Sequence, residues 1–419
     1  MEVTNYDVIV VGAGAAGMMA AGTAAKSGKK VLLIEKMEKS GRKVRISGKG
    51  RCNITNARPV DEFVEHVRSG ADFFAHTAFA EFNNKSTIKF FEKHGCWVEI
   101  ERGERVFPKS GKAWDVANAL LEYCVDNGVK IIYDTKVTGV FTIGDKAYGV
   151  KYMNKRGFER KIEASSVIIT TGGISYELTG STGDGYTFAA DLGHDIVPIR
   201  PSLTPLISNH PQISRLQGLM LKNSRAKLYI DDELIREEFG ELSFSDRGIE
   251  GAVALRLSRN AVDGVIDGKQ VKIVLDVKPG MDEELLLERI KRDISEMEPT
   301  DIFGDLLRRL VPKAMIVTIC EQLDIFSKSY IQKLTEDDLV RLVKELKNFE
   351  LPIVDYAPFE YAIVTAGGVS LDDVNPETME SRKIKGLYFA GEVLDLDADT
   401  GGYNLQIAFS TGRLAGMTR

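Results

Sequence analysis

The sequence predicts an α/β fold whose dinucleotide-binding sheet is built from both ends of the chain. An apolar strand at residues 7–11 leads directly into a G-x-G-x-x-G turn at residues 12–17. A second apolar strand, residues 31–34, ends in Glu35. A further strand–helix unit with a Gly pair lies at the far end of the chain, at residues 384–416. Strands that alternate with helices are typical of a parallel sheet covered by helices.

Length and composition indicate an ordinary globular protein. The chain has 419 residues, which suggests two or three domains at about 100–200 residues each. It is 43% hydrophobic and 28% charged, with a net charge of −6. An acidic chain is a poor match for nucleic acid, and the apolar run at residues 8–11 is too short for a signal peptide or a membrane span. We therefore expect a cytoplasmic protein with no nucleic-acid or membrane partner.

Cysteine and histidine spacing gives no sign of a metal centre. The chain has four cysteines: Cys52, Cys96, Cys124 and Cys320. They form no C-x-x-C pair, and the five histidines form no H-x-x-x-H pattern. We predict no metal site, and we interpret the cysteines as free thiols of a reducing compartment. Cys52 stands apart because it lies in a polar segment interrupted by glycines, residues 45–56.

The G-x-G-x-x-G turn and its surroundings predict a dinucleotide site. Gly12 permits the tight turn, Gly14 lets a pyrophosphate approach the backbone, and Gly17 lets the helix pack on the strand. The N-terminus of the next helix, which we place at residues 18–26, offers unpaired N–H groups to the phosphates. Glu35 lies where its carboxylate can hold both ribose hydroxyls. Three neighbouring residues join this predicted set: Ala15, Ala16 and Lys36.

The position of the closing elements favours FAD over NAD. An NAD dehydrogenase would close its nucleotide domain early, whereas here the closing strand and helix come at the far end of the chain. The carboxylate of Glu392 can bind ribityl hydroxyls, and the helix predicted at residues 405–415 can direct its N-terminus at the flavin pyrimidine carbonyl. The predicted residues at the flavin end are Gly391, Glu392, Gly401, Gly402, Tyr403, Asn404 and Leu405.

Two internal segments agree with this assignment. An apolar strand ends in Thr171, Gly172 and Gly173, a Gly pair suited to passing beside the dinucleotide. Residues 130–140 are predicted to form a strand and a turn whose Val137 can offer backbone groups to the adenine. Asp184 precedes a helix predicted at residues 187–192. It is either a cofactor ligand or only a turn residue.

The sequence resembles one bacterial flavoprotein family nearly end to end. The motifs that carry the resemblance are GAGAAG, SGKGRCNITN, TTGG, TGSTGDGY, FSDRGIEGAVALRLSR, AGGV, TMES and FAGEVLDLDADTGGYNLQIAFSTG. Members of this family are NAD(P)/FAD-dependent oxidoreductases, and they include 3-dehydro-bile-acid reductases and aminoacetone oxidases. Through its nucleotide half alone, the chain is more distantly similar to fumarate reductase and glutathione reductase type flavoproteins.

The resemblance implies a Rossmann-like FAD-binding domain that is interrupted by a β-barrel-like domain and a helical cap. The sequence agrees, because short β-rich runs at residues 224–276 give way to charged, amphipathic helical segments. The predicted segments are the first part of the FAD domain (1–195), a β-rich insert (196–280), the helical cap (281–347), a return through the β-rich domain (348–372) and the C-terminal part of the FAD domain (373–419).

The resemblance also assigns the glycine-rich loop at residues 41–56 to the FAD. It implies that Arg42 lies near the pyrophosphate, where a guanidinium can give charge-assisted hydrogen bonds. Lys49 departs from the run of glycines in the family, and its side chain either adds positive charge at the flavin or faces solvent. Cys52 has no partner cysteine close in sequence, which favours packing beside FAD over a redox role. Further implied ligands are Lys43, Ser47, Gly48, Gly50, Arg51, Cys52 and Asn53.

We predict hydride transfer through flavin N5, with an unsaturated or carbonyl-conjugated small molecule, such as a steroid or bile acid, as the acceptor. NAD(P)H is the expected reductant and would bind transiently, since the sequence has no second G-x-G-x-x-G. The candidate proton donors are Tyr403, Arg247 and the histidines, and Cys52 is a further catalytic candidate, but no spacing singles out one of them. Two alternatives stay open: an oxidase of small amines such as aminoacetone that uses O₂, and a non-catalytic flavin sensor or RNA-modification factor. The oligomeric state stays open as well.

Overall fold

The computed structural model describes residues 6–154 and 156–417. These residues form two compact units, which we call unit 1 (described residues 6–201 and 362–417) and unit 2 (residues 202–361). Residues 362–372, predicted to belong to the return through the β-rich domain, lie in unit 1.

Unit 1 is organised around a mixed seven-stranded sheet. Its strands in the first part of the chain are β1 (Tyr6–Val11), β2 (Val31–Ile34), β3 (Thr55–Asn56), β4 (Val98–Glu101), β5 (Arg105–Pro108), β6 (Lys130–Ile132), β7 (Val137–Ile143), β8 (Lys146–Met153), β9 (Glu159–Ile169) and β10 (Ile196–Ser202). The large sheet has the order β6-β2-β1-β9-β8-β7, and the C-terminal strand Leu387–Phe389 also pairs with β9. Strands β6, β2, β1 and β9 are parallel, whereas β8 and β7 are antiparallel additions.

The helices of unit 1 cover this sheet. In the first part of the chain they are α1 (Ala15–Lys26), α2 (Arg42–Ile46), α3 (Val60–Val64), α4 (Ala71–His76), α5 (Ala78–Glu81), α6 (Asn84–Lys93), α7 (Ala113–Asp126) and α8 (Asp184–Asp191). Strands β3, β5 and β4 form a separate three-stranded sheet. The loop predicted at residues 41–56 is therefore partly ordered as α2 and β3.

Unit 2 is a closed antiparallel barrel with helices. Its strands are β11 (Leu206–Ser208), β12 (Met220–Ile230), β13 (Glu233–Phe244), β14 (Gly248–Glu250), β15 (Val271–Asp276) and β16 (Phe349–Tyr356), and they close in the order β11-β14-β13-β12-β15-β16. Its helices are α9 (Gly251–Ile266), α10 (Glu283–Ser295), α11 (Phe303–Leu310), α12 (Lys313–Leu323) and α13 (Glu336–Lys347). The predicted combination of a Rossmann-like domain, a barrel and helices is confirmed. Helix α9 was not predicted, although its buried Val253, Leu257 and Ala261 recur at helical spacing.

The two ends of the chain meet in unit 1. Its last elements are β17 (Val364–Val369), which pairs with β10, β18 (Leu387–Phe389), and α14 (Tyr403–Gly416). Helix α14 packs on α1 at small residues. A Cβ on Gly412 would lie 2.4 Å from the carbonyl oxygen of Ala16, and a Cβ on Gly416 would lie 2.4 Å from that of Ala20. These glycines therefore allow the close helix contact that joins the C-terminus to the first βαβ unit.

Candidate dinucleotide cleft

A cleft in unit 1 runs along the carboxyl ends of β1, β2, β9 and β18. It contains about 1340 Å³ of empty space, part of it open to solvent. Sixteen predicted cofactor residues line it: Gly12, Gly14, Ala15, Ala16, Glu35, Lys36, Arg42, Lys43, Ser47, Val137, Thr171, Gly172, Gly391, Glu392, Asn404 and Leu405. Ligands of open parallel sheets bind at this edge.

The three glycines of the first turn differ in their surroundings. Gly12 has φ +99°, a conformation that disfavours a side chain. A Cβ on Gly17 would lie 1.9 Å from the carbonyl oxygen of Gly12, so this glycine permits the contact between helix and strand. A Cβ on Gly14 would have no heavy atom within 4 Å, because it would project into the cleft. The bare backbone at Gly14 therefore keeps open a space that a phosphate can occupy.

Helix α1 presents its N-terminus to this space. Its N-cap is Gly14, and no side chain caps the helix. The first N–H groups of a helix have no partners within the helix, and they favour an anion. The buried hydroxyl of Thr171, which also lines the cleft, has no hydrogen-bond partner in the described part of the chain. An open phosphate space at a helix N-terminus that no side chain caps fits an extended dinucleotide such as FAD.

Glu35 is held at the end of β2 by backbone donors. Its Oε2 accepts a hydrogen bond of 2.7 Å from the N–H of Ala13, and its Oε1 accepts one of 2.8 Å from the N–H of Met37. Burial raises the pKa of Glu35, and these backbone bonds oppose the shift. Each carboxylate oxygen has a further lone pair, so the fixed side chain can still accept from ribose hydroxyls.

Lys43 and Glu392 form a network on the opposite part of the cleft. The Nζ of Lys43 lies 2.8 Å from Oε2 of Glu392 and 2.7 Å from Oγ of Ser175. Oε1 of Glu392 accepts from the backbone N–H of Thr365 at 2.9 Å and lies 3.0 Å from Oγ of Ser175. A Cβ on Gly173 would lie 2.4 Å from Oγ1 of Thr365. The second glycine of the TTGG motif thus makes room for this network, although it does not itself line the cleft.

Other charged residues of the cleft pair locally. Nζ of Lys36 lies 2.6 Å from Oδ2 of Asp184, which also lines the cleft and is therefore more than a turn residue. The guanidinium of Arg42 binds Glu38 at 2.5 Å and the carbonyl oxygen of Leu178 at 2.9 Å. Arg42 can reach a phosphate only if it gives up part of this pairing.

Ten of the predicted cofactor residues do not line the cleft: Gly17, Gly48, Gly50, Arg51, Cys52, Asn53, Gly173, Gly401, Gly402 and Tyr403. Arg51 lies 2.5 Å from Glu101 on β4. Cys52 is fully buried, and burial raises the pKa of its thiol to about 12, so the thiol stays protonated at neutral pH. A Cβ on Gly402 would lie 2.4 Å from the backbone of Thr55, which shows that the Gly pair packs on β3. Lys49 is exposed and lies outside the lining.

The candidate proton donors are likewise placed away from the cleft lining. Tyr403 is 2% exposed, and its ring stacks on His66 at 4.4 Å and meets the edge of Phe63 at 4.7 Å. Arg247 is an exposed residue of unit 2, between β13 and β14. The environments of these residues and of Cys52 do not single out a proton donor.

Sequence reasoning missed a substantial part of the lining. The missed residues are Val11, Ala13, Ile34, Lys39, Val44, Thr135, Thr170, Thr179, Gly180, Ser181, Asp184, Phe188, Ile363, Val364, Ala390, Leu396, Ile407 and Ala408. The TGSTGDGY motif contains four of them and was a usable signal. The apolar members carried no distinguishing signal, because apolar residues at strand ends are common.

The described ranges, residues 6–154 and 156–417, contain neither a metal-binding cluster nor a helix able to span a membrane. No group of three or more His, Cys, Asp or Glu residues there could hold a metal ion. No helix there combines the length and the apolar character needed to cross a bilayer.

Comparison with known proteins identifies the family of the chain. The family described as HI0933-like protein Rossmann domain matches residues 6–418. The chain is 31% identical, over 97% of both proteins, to a 3-dehydro-bile acid delta(4,6)-reductase of Clostridium scindens. It is 28% identical to a ribosomal RNA dihydrouridine synthase of Escherichia coli, over 97% of this chain and 96% of that protein.

The fold has a counterpart among solved structures. A 3-ketosteroid delta1-dehydrogenase of Sterolibacterium denitrificans, in complex with 1,4-androstadiene-3,17-dione, superposes with a TM-score of 0.54 and 14% identity, over 99% of each chain. This likeness concerns the fold alone. With the family match over nearly the whole chain, it agrees with the predicted FAD-dependent oxidoreductase architecture. The chain belongs to the HI0933-like Rossmann-domain family, and it is an FAD-dependent oxidoreductase.

Proposed function

We propose that this oxidoreductase reduces a carbon–carbon double bond conjugated to a carbonyl in a small organic substrate, with NAD(P)H as the reductant. The observation that carries the proposal is the 31% identity, over 97% of both chains, to a relative named as a reductase of a 3-dehydro-bile acid. In that name, the 3-oxo group and the 4,6-diene form one conjugated system. A bile-acid-like substrate is therefore the first candidate.

The residues of the cleft are suited to hold FAD in an extended conformation. Gly14 and the N-terminus of α1 would bind the phosphates, Glu35 would hold the ribose, and Glu392 would bind the ribityl hydroxyls. Lys43, which pairs with Glu392, would hold that carboxylate in place at the flavin end. When bound, FAD supplies the two-electron chemistry. The chain's own residues hold the cofactor in position and exclude competing reactions.

Anaerobic titration tests the reductant. Purified protein is mixed with NADH or NADPH without oxygen, and the loss of flavin absorbance is followed. We expect at least one of the two nucleotides to bleach the flavin rapidly. The Gly14→Val variant, which should not retain FAD, is the control for reactions that do not need the flavin.

Reoxidation of the reduced protein tests the acceptor. A 3-oxo-4,6-diene steroid should restore the flavin absorbance and gain two hydrogens by mass spectrometry, whereas the saturated 3-oxo steroid should do neither. Fast reoxidation by O₂ with stoichiometric peroxide, together with no reaction of the diene, would contradict the proposal and favour an amine oxidase.

A second candidate is reduction of a uracil base in RNA. It is favoured by the identity of 28% over nearly the full length of the Escherichia coli relative named as a ribosomal RNA dihydrouridine synthase. Formation of dihydrouridine saturates a double bond that is likewise conjugated to a carbonyl, so both candidates use the same chemistry. This candidate departs from the expectation of no nucleic-acid partner. Mass spectrometry of RNA nucleosides, after reaction with the NAD(P)H-reduced protein, would detect the gain of two hydrogens.

A further inference from the structure

Both tryptophans of the chain lie on the surface of unit 1. Trp97, just before β4, is 65% exposed, and Trp114, the second residue of α7, is 52% exposed. The chain has no other tryptophan. Large aromatic side chains contribute most when they are buried, so two exposed tryptophans in one short segment indicate an interaction surface. Neither residue lines the dinucleotide cleft.

Guanidinium groups stack on aromatic rings in the same region. Cζ of Arg45 lies 4.0 Å from the ring centroid of Trp114, and Cζ of Arg51 lies 4.4 Å from that of Phe107. Nε of Arg45 also donates to the carbonyl oxygen of Ser40 at 3.2 Å, which holds the guanidinium in place. Indole rings and stacked guanidinium planes are the groups on which unpaired nucleobases stack.

Unpaired positive charge occurs in and near the segments that carry the two tryptophans. Four exposed cations form no ion pair with any residue that the structure describes: Lys49, Arg102, Lys109 and Lys112. The N–H of Lys109 donates to the carbonyl oxygen of Trp97 at 2.8 Å, so this lysine lies beside the first indole. Of the nearby acids, Glu99 and Glu101 are engaged by Arg51, Glu104 is exposed, and Asp115, which follows Trp114, is half-buried. The region therefore presents free cations in a chain whose net charge is −6.

We propose that this region binds single-stranded RNA. We call it the tryptophan surface and define it as Arg45, Lys49, Trp97, Lys109, Lys112 and Trp114. Bases would stack on the two indoles, and the cations would hold the phosphates. A protein partner fits less well, because lysines are depleted at protein interfaces. The proposal rests on the second candidate function and names the surface that would hold its substrate.

Filter binding of a radiolabelled, uridine-rich single-stranded oligonucleotide to the FAD-loaded protein tests the proposal. We expect saturable binding that weakens steeply as salt is raised. Trp97→Ala and Trp114→Ala should each weaken binding by about tenfold, because each removes one stacking platform. Trp97→Phe should restore most of the affinity. The matched control is Phe326→Ala, which removes an aromatic ring that is 83% exposed in unit 2 and should leave binding unchanged.

Three results would overturn the proposal. They are absence of salt-sensitive binding, equal binding by the wild type and both alanine variants, and an equal loss in the Phe326→Ala control. Self-association that the alanine variants abolish, without RNA binding, would instead identify a protein interface. Circular dichroism of each variant shows whether it is folded, and both tryptophans are exposed enough for their truncation to leave the core intact.

The same experiments separate the surface from the chemistry. RNA binding without dihydrouridine formation would leave the tryptophan surface established and remove the second candidate function. Steroid reduction without RNA binding would leave the first candidate function standing and remove the surface. Intrinsic tryptophan fluorescence gives a second readout, because both emitting residues of the chain lie on this surface.

Discussion

Nζ of Lys43 lies 2.8 Å from Oε2 of Glu392, although 349 positions of sequence separate the two residues. Ser175, from the segment that follows β9, bonds to both side chains. Three distant segments thus fix one charged pair at the wall of the cleft. The pair remains partly exposed, with side-chain exposures of 27% and 21%. It therefore contributes little to the free energy of unfolding, and its main effect is to fix the positions of the two charged groups.

Ser175→Ala should loosen this pair. It removes the bonds to Lys43 and Glu392, and we expect a loss of about 1 kcal/mol in the free energy of unfolding. FAD should bind more weakly, because Glu392 would be less firmly placed for the ribityl hydroxyls. Flavin titration and urea unfolding check these effects. The control is Ser295→Ala, at an exposed hydroxyl of unit 2 that bonds only within its own turn; an equal change there would contradict the role of Ser175.

Gly14→Val should abolish FAD retention while leaving the fold intact. The new side chain would enter open space in the cleft, and Gly14 has φ −82°, which any residue can adopt. Gly17→Ala should behave differently, because its Cβ would meet the carbonyl oxygen of Gly12 at 1.9 Å. We expect Gly17→Ala to lower stability by about 1–3 kcal/mol. The ratio of flavin to protein absorbance and thermal unfolding separate the two effects; full FAD occupancy in Gly14→Val would refute the assignment of the phosphate site.

Glu35→Ala should weaken FAD retention. Hydrogen bonds to a charged group contribute about 1.5–3 kcal/mol, which corresponds to roughly tenfold or more in the dissociation constant. The apoprotein should also lose some stability, since the N–H groups of Ala13 and Met37 lose their acceptor. Glu35→Gln keeps one acceptor oxygen and should retain part of both. Purified Glu35→Ala protein as yellow as the wild type would show that the carboxylate does not hold the ribose.

Cys52 should prove inert. Burial raises the pKa of its thiol to about 12, so almost no thiolate exists at pH 8. We expect no alkylation of Cys52 by iodoacetamide in the native protein, and alkylation of all four free cysteines after unfolding. Cys52→Ala should keep its FAD and its NAD(P)H-driven bleaching within a few-fold of the wild type. Loss of bleaching in a folded, yellow Cys52→Ala protein would indicate a chemical role.

Glu345 should make unit 2 more stable at low pH. Burial, with a smaller contribution from Glu350, raises its pKa from 4.5 to about 7, and its buried Oε1 has no partner among the described residues. The native state therefore keeps a proton that the unfolded state has lost. This contribution is fully present below about pH 4.5 and is lost as the pH rises through about 7.

Glu345→Gln should remove this loss of stability at high pH. We expect a stabilisation of about 1–2 kcal/mol at pH 8, after allowance for partial exposure, and none at pH 4. Urea unfolding at both pH values measures it. Glu241→Gln, at an exposed acid of the same unit, is the matched control and should change neither value. A pH-independent effect of Glu345→Gln would contradict the assigned protonation.

Local signals predicted the first βαβ unit well, and they did less well at helix starts. Glu35 and the glycines of the first turn lie where their spacing indicated, since one strand, one turn and one helix fix their positions. Helices α1, α8 and α14 each begin two or three residues earlier than predicted, at Ala15, Asp184 and Tyr403. Glycine-rich sequence hides a helix start, because glycine weakens helix propensity even where the binding site needs an N-terminus.

Long-range contacts account for what the sequence did not reveal. Thr365 was part of no predicted site, yet its backbone N–H binds Glu392. Arg51 belongs to the most recognisable motif of the chain, yet its guanidinium forms an ion pair with Glu101 on β4. Nothing in the sequence distinguished Trp97 and Trp114 from core residues, because exposure depends on which surfaces the folded chain leaves uncovered.

The sequence by itself determined the class of fold, the family and the start of the dinucleotide site, because turn geometry, strand burial and glycine spacing act over a few residues. Tertiary structure alone decided which loop residues reach the cleft, how Lys43 is held and where the aromatic surface lies. These depend on segments that are far apart in the chain, and only close packing of side chains selects one arrangement among many.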